Sequence, residues 1–241
     1  MNDITVTTII DHELIDSQTV NDRDPKQKFW ASAADAWAAA WAAQRIHGEY
    51  RAINHNVFDE ESNKLPSNKD TMIALLIDSS PLLEEDYING AKARDWFQGQ
   101  LFGLISGELN DFMKRAAEIA VKDDISVRQD AGMISCLPQS YIKSSRKENI
   151  RDMMSSSNAQ HVGTITEKIV RNLEVLDIKK GVSFTGWLVT ATEGNNFFRF
   201  CSSWECQPGE LIHIQAKVKR HDVDRDTNKP VTWLNYVKRL T

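Results

Sequence analysis

Hydrophobic residues recur at helical spacing through the first half of the chain and at alternate positions through its last third. From residue 29 to residue 46, the run FWASAADAWAAAWAAQRI is rich in strong helix formers. Trp30, Trp37 and Trp41 fall on one face of the helix that this run predicts. The pattern favours a core helix whose alanines permit close packing. The alternative is an exposed aromatic ridge that docks a partner.

Two further helices are predicted before residue 120. A short one covers the segment TMIALLID, after a polar loop at residues 54–69. Ser80 and Pro81 supply a cap and a first-turn proline for a second helix, whose apolar residues keep a helical period almost to residue 120.

Three glycines recur at intervals of four inside this long helix: Gly99, Gly103 and Gly107. Each costs about 1 kcal/mol relative to alanine in a helix interior. We therefore expect a compensating close approach of another backbone, or a kink, along the glycine strip. A face for assembly with another chain is the alternative.

After residue 160 the period of the hydrophobic pattern changes to two, and turn-forming residues stand close together. Five strands are predicted, at 169–178, 183–192, 196–203, 210–221 and 231–240. Five antiparallel strands without a long intervening helix are typical of a small closed or partly closed β-barrel. A three-stranded sheet packed on the N-terminal helices is the alternative.

Composition and charge support a division of the chain. We predict a flexible arm at 1–28, a helical domain at 29–150, a linker at 151–160 and the barrel at 161–241. The net charge is -5. Residues 161–241 hold 12 Lys and Arg against 9 Asp and Glu, whereas residues 1–160 hold 17 against 25. This asymmetry indicates two domains with different partners.

The fourth predicted strand alternates apolar residues with polar and basic ones, so one of its faces is core and the other is cationic. Cations interleaved with aromatic rings suit a surface that tracks a phosphate backbone and stacks bases. The candidate nucleic-acid-binding residues are the cations Arg199, Lys217, Lys219, Arg220, His221 and Lys238, and the aromatics Trp187, Phe198, Trp233 and Tyr236. The alternative is a solvated strand face beside core aromatics.

A family resemblance rests on short motifs in the last third of the chain. They are the turn Gly194-Asn195, the aromatic strand 197–200, the turn Gly209-Glu210, the run 217–221 (KVKRH), and a last strand with Thr232, Leu234, Val237 and Lys238. Together they resemble the small OB-fold domains of phage and mobile-element replication proteins. The resemblance covers only the last third of the chain, where it implies a five-stranded OB-like antiparallel β-barrel. Together with the helical periodicity of the first half, it predicts an α+β protein with a helical N-terminal domain followed by this barrel. It also implies binding of single-stranded nucleic acid.

Common catalytic and metal-binding signatures are absent from the sequence, so we expect neither an enzyme nor a cofactor. Cys201 and Cys206 lack the second ligand pair of a structural zinc site. The acids at 222–226 resemble the start of a calcium loop, but Thr227 stands where such a loop needs glycine.

Three cysteines without a disulfide framework, and an acidic N-terminus without a signal pattern, predict a cytoplasmic protein. It could act in a host cell during infection, and no membrane-spanning segment is predicted. We expect a single-stranded DNA- or RNA-binding accessory factor of phage-type replication, recombination or transcription. Its acidic helical domain would form a homo-oligomer or recruit a replication or transcription protein. The alternatives are an assembly protein whose barrel and Trp and Gly faces bind protein, and a metal-dependent nuclease with an accessory barrel.

Overall fold

The computed structural model describes residues 30–54, 56–106, 109–181 and 185–240. The chain divides into two compact units, Met1–Cys136 and Leu137–Thr241. The first unit contains 13 Lys and Arg against 23 Asp and Glu, and the second contains 16 against 11. The division therefore separates an acidic unit from a basic one, and it falls earlier than the predicted linker at 151–160.

The first unit is helical, with one short antiparallel pair of strands. Its elements are β1 (Trp30–Ser32), α1 (Ala33–His47), α2 (Asn68–Ile77), α3 (Glu84–Gly99), α4 (Leu101–Ser106), α5 (Asp111–Ala120), β2 (Asp124–Ser126) and α6 (Val127–Ile134). β1 pairs with β2. The long helix predicted up to residue 120 is wrong, because α3 ends at Gly99 and Asn110 caps a new helix by accepting a hydrogen bond from Met113 N at 2.9 Å.

The core of the first unit lies where α1 meets α3. Trp37 and Phe97 are fully buried there, with ring centroids 5.9 Å apart. The prediction that the tryptophan-containing helix packs in the core is therefore confirmed at Trp37. Trp41 is half-buried, and Trp30 lies outside α1, in β1.

The close backbone crossing in this core uses a glycine other than the ones predicted. A Cβ added at Gly90 would lie 2.8 Å from the carbonyl carbon of Trp37. At Gly99 it would meet open space, and at Gly103 it would meet only the side chain of Leu109. The expected close approach of another backbone is therefore wrong at these two positions. The other expectation, a kink, agrees with the interruption between α3, which ends at Gly99, and α4, which begins at Leu101. Gly107 lies outside the described residues. Small residues are needed on α3 where it touches the alanine-rich α1, not further along the chain.

The second unit consists of one helix and a closed five-stranded barrel. Its elements are α7 (Leu137–Ser156), β3 (Lys168–Lys180), β4 (Trp187–Glu193), β5 (Asn196–Ser202), β6 (Leu211–Val223) and β7 (Pro230–Arg239). The strand order around the barrel is β3-β4-β5-β7-β6. The α+β class and the five-stranded barrel are thus confirmed, and the barrel is compatible with an OB-like fold.

One strand pair departs from the predicted antiparallel arrangement. β5 and β7 run parallel, whereas the other four neighbouring pairs are antiparallel. The connection after β5 takes the chain to β6, which pairs with β3 on the far side of the barrel. β7 then returns antiparallel to β6 and closes the barrel against β5, which fixes the parallel direction.

α7 packs on the outside of this barrel. Met154 on the helix clusters with Leu176, Phe197 and Val231 from three different strands, and Ile150 packs against the same cluster. The helix continues to Ser156, into the segment predicted as a linker. No helix in the described part of the chain is long and apolar enough to cross a lipid bilayer.

Hydrogen bonds attach the segment after α7 to the barrel. Lys229 Nζ donates to the Ser157 carbonyl at 2.7 Å, and Val162 N donates to Thr232 Oγ1 at 2.9 Å. Gln160 N also donates to Asn196 Oδ1 at 2.9 Å. This segment is therefore part of the barrel unit.

Candidate nucleic-acid interface

The pairing of β6 with β7 determines which side chains share the outer surface of the barrel. Ile212, Ile214, Ala216 and Val218 of β6 point into the core, as the alternation predicts. Arg220 pairs with Trp233 and Lys217 pairs with Asn235. We call the outward-facing group the β6–β7 face; it comprises Lys217, Lys219, Arg220, Trp233, Tyr236 and Lys238.

Two irregularities in this strand pair alter the direction of its side chains. The register shifts between Gln215 and Lys217 and again between Val218 and Arg220. Lys219 falls in the second shift and has no partner across the pair. Tyr236 lies on β7, opposite the first register shift. Its φ is 51°, and its side chain is 77% exposed. Bulges of this kind redirect side chains and occur often beside functional sites.

A cation–π contact joins the two strands at the second irregularity. The guanidinium carbon of Arg220 lies 4.6 Å from the centroid of the Trp233 ring. Arg220 Nη2 is also 3.4 Å from Asp222 Oδ2. The contact fixes the planar donor group against the ring while the arginine side chain stays half-exposed.

Unlike Arg220, the lysines of the β6–β7 face form no ion pair within the described residues. Within residues 30–54, 56–106, 109–181 and 185–240, no carboxylate forms an ion pair with Lys217, Lys219 or Lys238. Lys168 on β3 pairs in register with Lys217 and adds another exposed ammonium. Sequence reasoning missed Lys168 because the predicted strand began one residue later. An extended anion would relieve the repulsion among these groups.

His221 occupies a position different from the one expected for a ligand contact. Its ring stacks on that of His161, with centroids 4.4 Å apart and planes 3° from parallel. His161 Nε2 donates to the backbone carbonyl of Asp222 at 2.8 Å. His221 is half-buried, so it helps to attach the segment before β3 to β6.

One predicted stacking residue is buried in the barrel interior, and another packs against it. Phe198 is 0% exposed and lies in the core cluster, so its assignment to the binding site is wrong. Arginine and phenylalanine alternate on β5, and this alternation sends Arg199 outward and Phe198 inward. Trp187 is half-buried and packs against the same core.

Arg199 lies on the outer side of β5, beside a cavity of about 110 Å³ between the barrel and α7. Its Nη2 donates to Asp224 Oδ2 at 2.5 Å. Burial alone would raise the pKa of Asp224, but the hydrogen bonds from Arg199 and Thr227 outweigh it and keep that pKa below its usual value. Arg199 is thus neutralised by an internal partner.

The acids of the β6–β7 hairpin form a turn and not an ion site. Asp224 Oδ1 accepts hydrogen bonds from Asp226 N at 3.1 Å and from Thr227 N at 3.0 Å. Among the described residues, no three His, Cys, Asp or Glu side chains are grouped so that they could hold a metal ion.

Comparison of the chain with protein-family models, curated proteins and solved structures finds no match.

Proposed function

We propose that the barrel binds single-stranded nucleic acid on the β6–β7 face. The observation that carries this proposal is the contact between Arg220 and Trp233, which is flanked by lysines that have no acidic partner in the described part of the chain. A cationic groove tracks the phosphates of a single strand, while aromatic rings accept its bases.

The exposed ring of Tyr236 favours a single strand over a duplex. Bases of a duplex are stacked on each other and expose only their edges in the grooves, whereas unpaired bases can stack on an aromatic side chain. Tyr236 and Lys219 protrude at the two irregularities of the same strand pair, so ring and charge are available together.

The proposed surface differs from the one that OB folds commonly use. Those folds bind oligonucleotides on the face of their second and third strands and on adjoining loops. The corresponding strands here are β4 and β5. α7 lines a small cavity with Thr190 and Arg199 of these strands, and Arg199 is paired with Asp224. No residue of the β6–β7 face lines that cavity. Arg220 on this face is paired with Asp222 at 3.4 Å but stays half-exposed, and the described residues show no ion pair for Lys217, Lys219 or Lys238.

A role in replication, recombination or transcription follows from the same proposal. The basic barrel unit would hold the single strand, and the acidic helical unit would contact a protein partner or another copy of the chain. This would be a binding role in the cytoplasm and not a catalytic one. An assembly protein whose barrel contacts only protein is the rival function.

Binding of labelled oligonucleotides to the full chain tests the proposal. We expect fluorescence anisotropy to show tighter binding of single-stranded 20-mers than of the matching duplex, with DNA and RNA compared in parallel. Arg220→Gln should weaken binding, and Lys180→Gln at the exposed end of β3 should not. If the parent protein binds no oligonucleotide at low salt, the function is wrong and the assembly role is favoured. If only Lys180→Gln weakens binding, the ligand uses another face.

A further inference from the structure

A cavity of about 380 Å³ opens in the first unit, at the start of α1. Its volume lies within the range of about 300–1,000 Å³ that is typical of ligand sites. Two aromatic rings line it and remain accessible, since Trp30 is 54% exposed and Tyr87 is 40% exposed. Leu75, Leu76 and Leu82 supply apolar surface from α2 and the loop before α3.

One carboxylate, that of Asp35, lines the same cavity as these rings. Tyr87 Oη donates a hydrogen bond to Asp35 Oδ1 at 2.9 Å, and Ser32 Oγ donates to Asp35 Oδ2 at 2.6 Å. The bond from Ser32 is part of the cap of α1, but it uses one acceptor position on one oxygen. A carboxylate has about four acceptor positions, so each oxygen of Asp35 retains one for a ligand.

Asp35 lies in the first turn of α1, near the positive end of the helix dipole, but no Lys, Arg or His side chain pairs with it within the described ranges of the chain. The hydrogen bond from Tyr87 to this carboxylate raises the pKa of the tyrosine hydroxyl above its ordinary value, as expected next to a negative charge. A half-buried carboxylate beside two accessible rings is suited to a cation, which gains both an ion pair and contact with a ring face.

The surroundings favour a polybasic protein segment over a single small cation. The first unit has an excess of ten acidic over basic side chains. Asp78 precedes Ser79 in the cavity wall, and Glu85 lies two residues before Tyr87, so acids extend beyond the cavity itself. The long-range field would attract a segment with several cations, and the apolar wall would hold the stem of one of them.

We propose that this cavity is a docking site for a lysine or arginine side chain of a basic partner protein, held by Asp35 between Trp30 and Tyr87. The site is independent of the β6–β7 face. It assigns the acidic unit a specific contact with a partner, where charge alone would give only diffuse attraction.

The test uses the full chain and a fluorescein-labelled peptide of alternating lysine and glycine, with a glutamate–glycine peptide as the charge control. Trp30→Ala should weaken binding of the lysine peptide about two- to five-fold, the effect of one exposed cation–π contact. Asp35→Asn should weaken it at least as much. Glu60→Gln removes the same charge in an exposed loop and should leave the affinity unchanged.

A pair of substitutions at Tyr87 separates the ring from the hydroxyl. Tyr87→Phe should retain the affinity because the ring remains, whereas Tyr87→Ala should weaken binding about two- to five-fold, as for Trp30→Ala. These variants keep the test valid if Asp35→Asn unfolds α1, which thermal melting would reveal. Equal losses for Glu60→Gln and Asp35→Asn would overturn the site in favour of diffuse attraction, and parental affinity in Trp30→Ala would overturn it as well.

Two other occupants would also overturn the proposal. If Lys26→Gln/Lys28→Gln in the full chain raised the affinity for the peptide more than Lys64→Gln/Lys92→Gln, which removes the same charge elsewhere in the first unit, the lysines just before Trp30 would be competing for the cavity. If Asp35→Asn changed the oligomeric state in sedimentation, the occupant would be a second copy of the chain. Equal affinities of the two double variants in the first experiment and an unchanged mass in the second support a separate partner.

Discussion

The guanidinium of Arg220 lies over the ring of Trp233, and its carbon is 4.6 Å from the ring centroid. The two residues also pair in register between β6 and β7. The contact places a charged donor group and an aromatic surface at one point on the outside of the barrel. Both residue types contribute to recognition of single strands, through phosphate contacts and through stacking.

A double-mutant cycle measures how strongly this pair is coupled. We expect Arg220→Gln and Trp233→Leu to give a coupling energy of about 0.5–1 kcal/mol in the free energy of unfolding, as for an exposed cation–π contact. Urea denaturation of the parent, both single variants and the double variant supplies the four values. Strict additivity would show that the two side chains are neighbours without an energetic interaction.

Substitution of Tyr236 should affect the stability of the barrel and its binding of a single strand in different ways. Its φ of 51° costs a residue with a Cβ about 1–2 kcal/mol, and glycine avoids this cost. Tyr236→Gly should therefore leave stability equal or higher, while it weakens single-strand binding by about 1–3 kcal/mol through loss of a stacking surface. Thermal melting and anisotropy titration check the two halves. A stable variant with parental affinity would exclude Tyr236 from the interface.

The tight crossing of α1 and α3 makes Gly90 sensitive to a single methyl group. Gly90→Ala forces the new Cβ against the backbone of Trp37 and should cost about 1–3 kcal/mol. Gly99→Ala on the same helix meets open space and should be neutral, or stabilising by about 0.4–1 kcal/mol. Thermal denaturation of both variants tests the contrast, and equal melting temperatures would show that the helices separate easily.

The free energy of unfolding of the barrel should fall at low pH, because Asp224 becomes protonated. Its pKa is lower in the folded protein than in the unfolded chain, so its contribution is complete above the unfolded value of about 3.9 and is lost as the pH falls through the folded value. Asp224→Asn should cost about 1–3 kcal/mol at neutral pH, because Arg199 loses its partner.

Urea denaturation between about pH 2.5 and pH 6 measures this effect. The difference in free energy of unfolding between the parent and Asp224→Asn should be constant above about pH 5 and should shrink below about pH 4. A difference that stays constant to the lowest pH would show that the carboxylate is not stabilised in its charged form.

The barrel strands were predictable because their signal is local. The alternation from Ile212 to Lys219 fixes which side of β6 faces the core, and the turns at Gly194 and Gly209 delimit the neighbouring strands. Helix α1 was predictable for a similar reason, since its alanines have high helix propensity.

The features that sequence reasoning missed depend on contacts between distant residues. The parallel pairing of β5 with β7 and the position of Met154 on the barrel arise from closure of the fold, for which no local pattern gives a signal. The same holds for Gly90, whose importance comes from the backbone of Trp37 on another helix. Phe198 was misassigned because an aromatic in a strand is compatible with both core and surface until the inward side is known.

The salt dependence of binding tests the central claim most directly. If Lys217 and Lys219 contact phosphates, Lys217→Gln/Lys219→Gln should flatten the slope of log affinity against log salt by about 1.4, which corresponds to roughly 0.7 per phosphate contact of a single strand. Lys179→Gln/Lys180→Gln, on β3 and partly beside the cavity under α7, is the matched control and should keep the parental slope. A parental slope in folded Lys217→Gln/Lys219→Gln, or a flattened slope in the control alone, would contradict binding on the β6–β7 face.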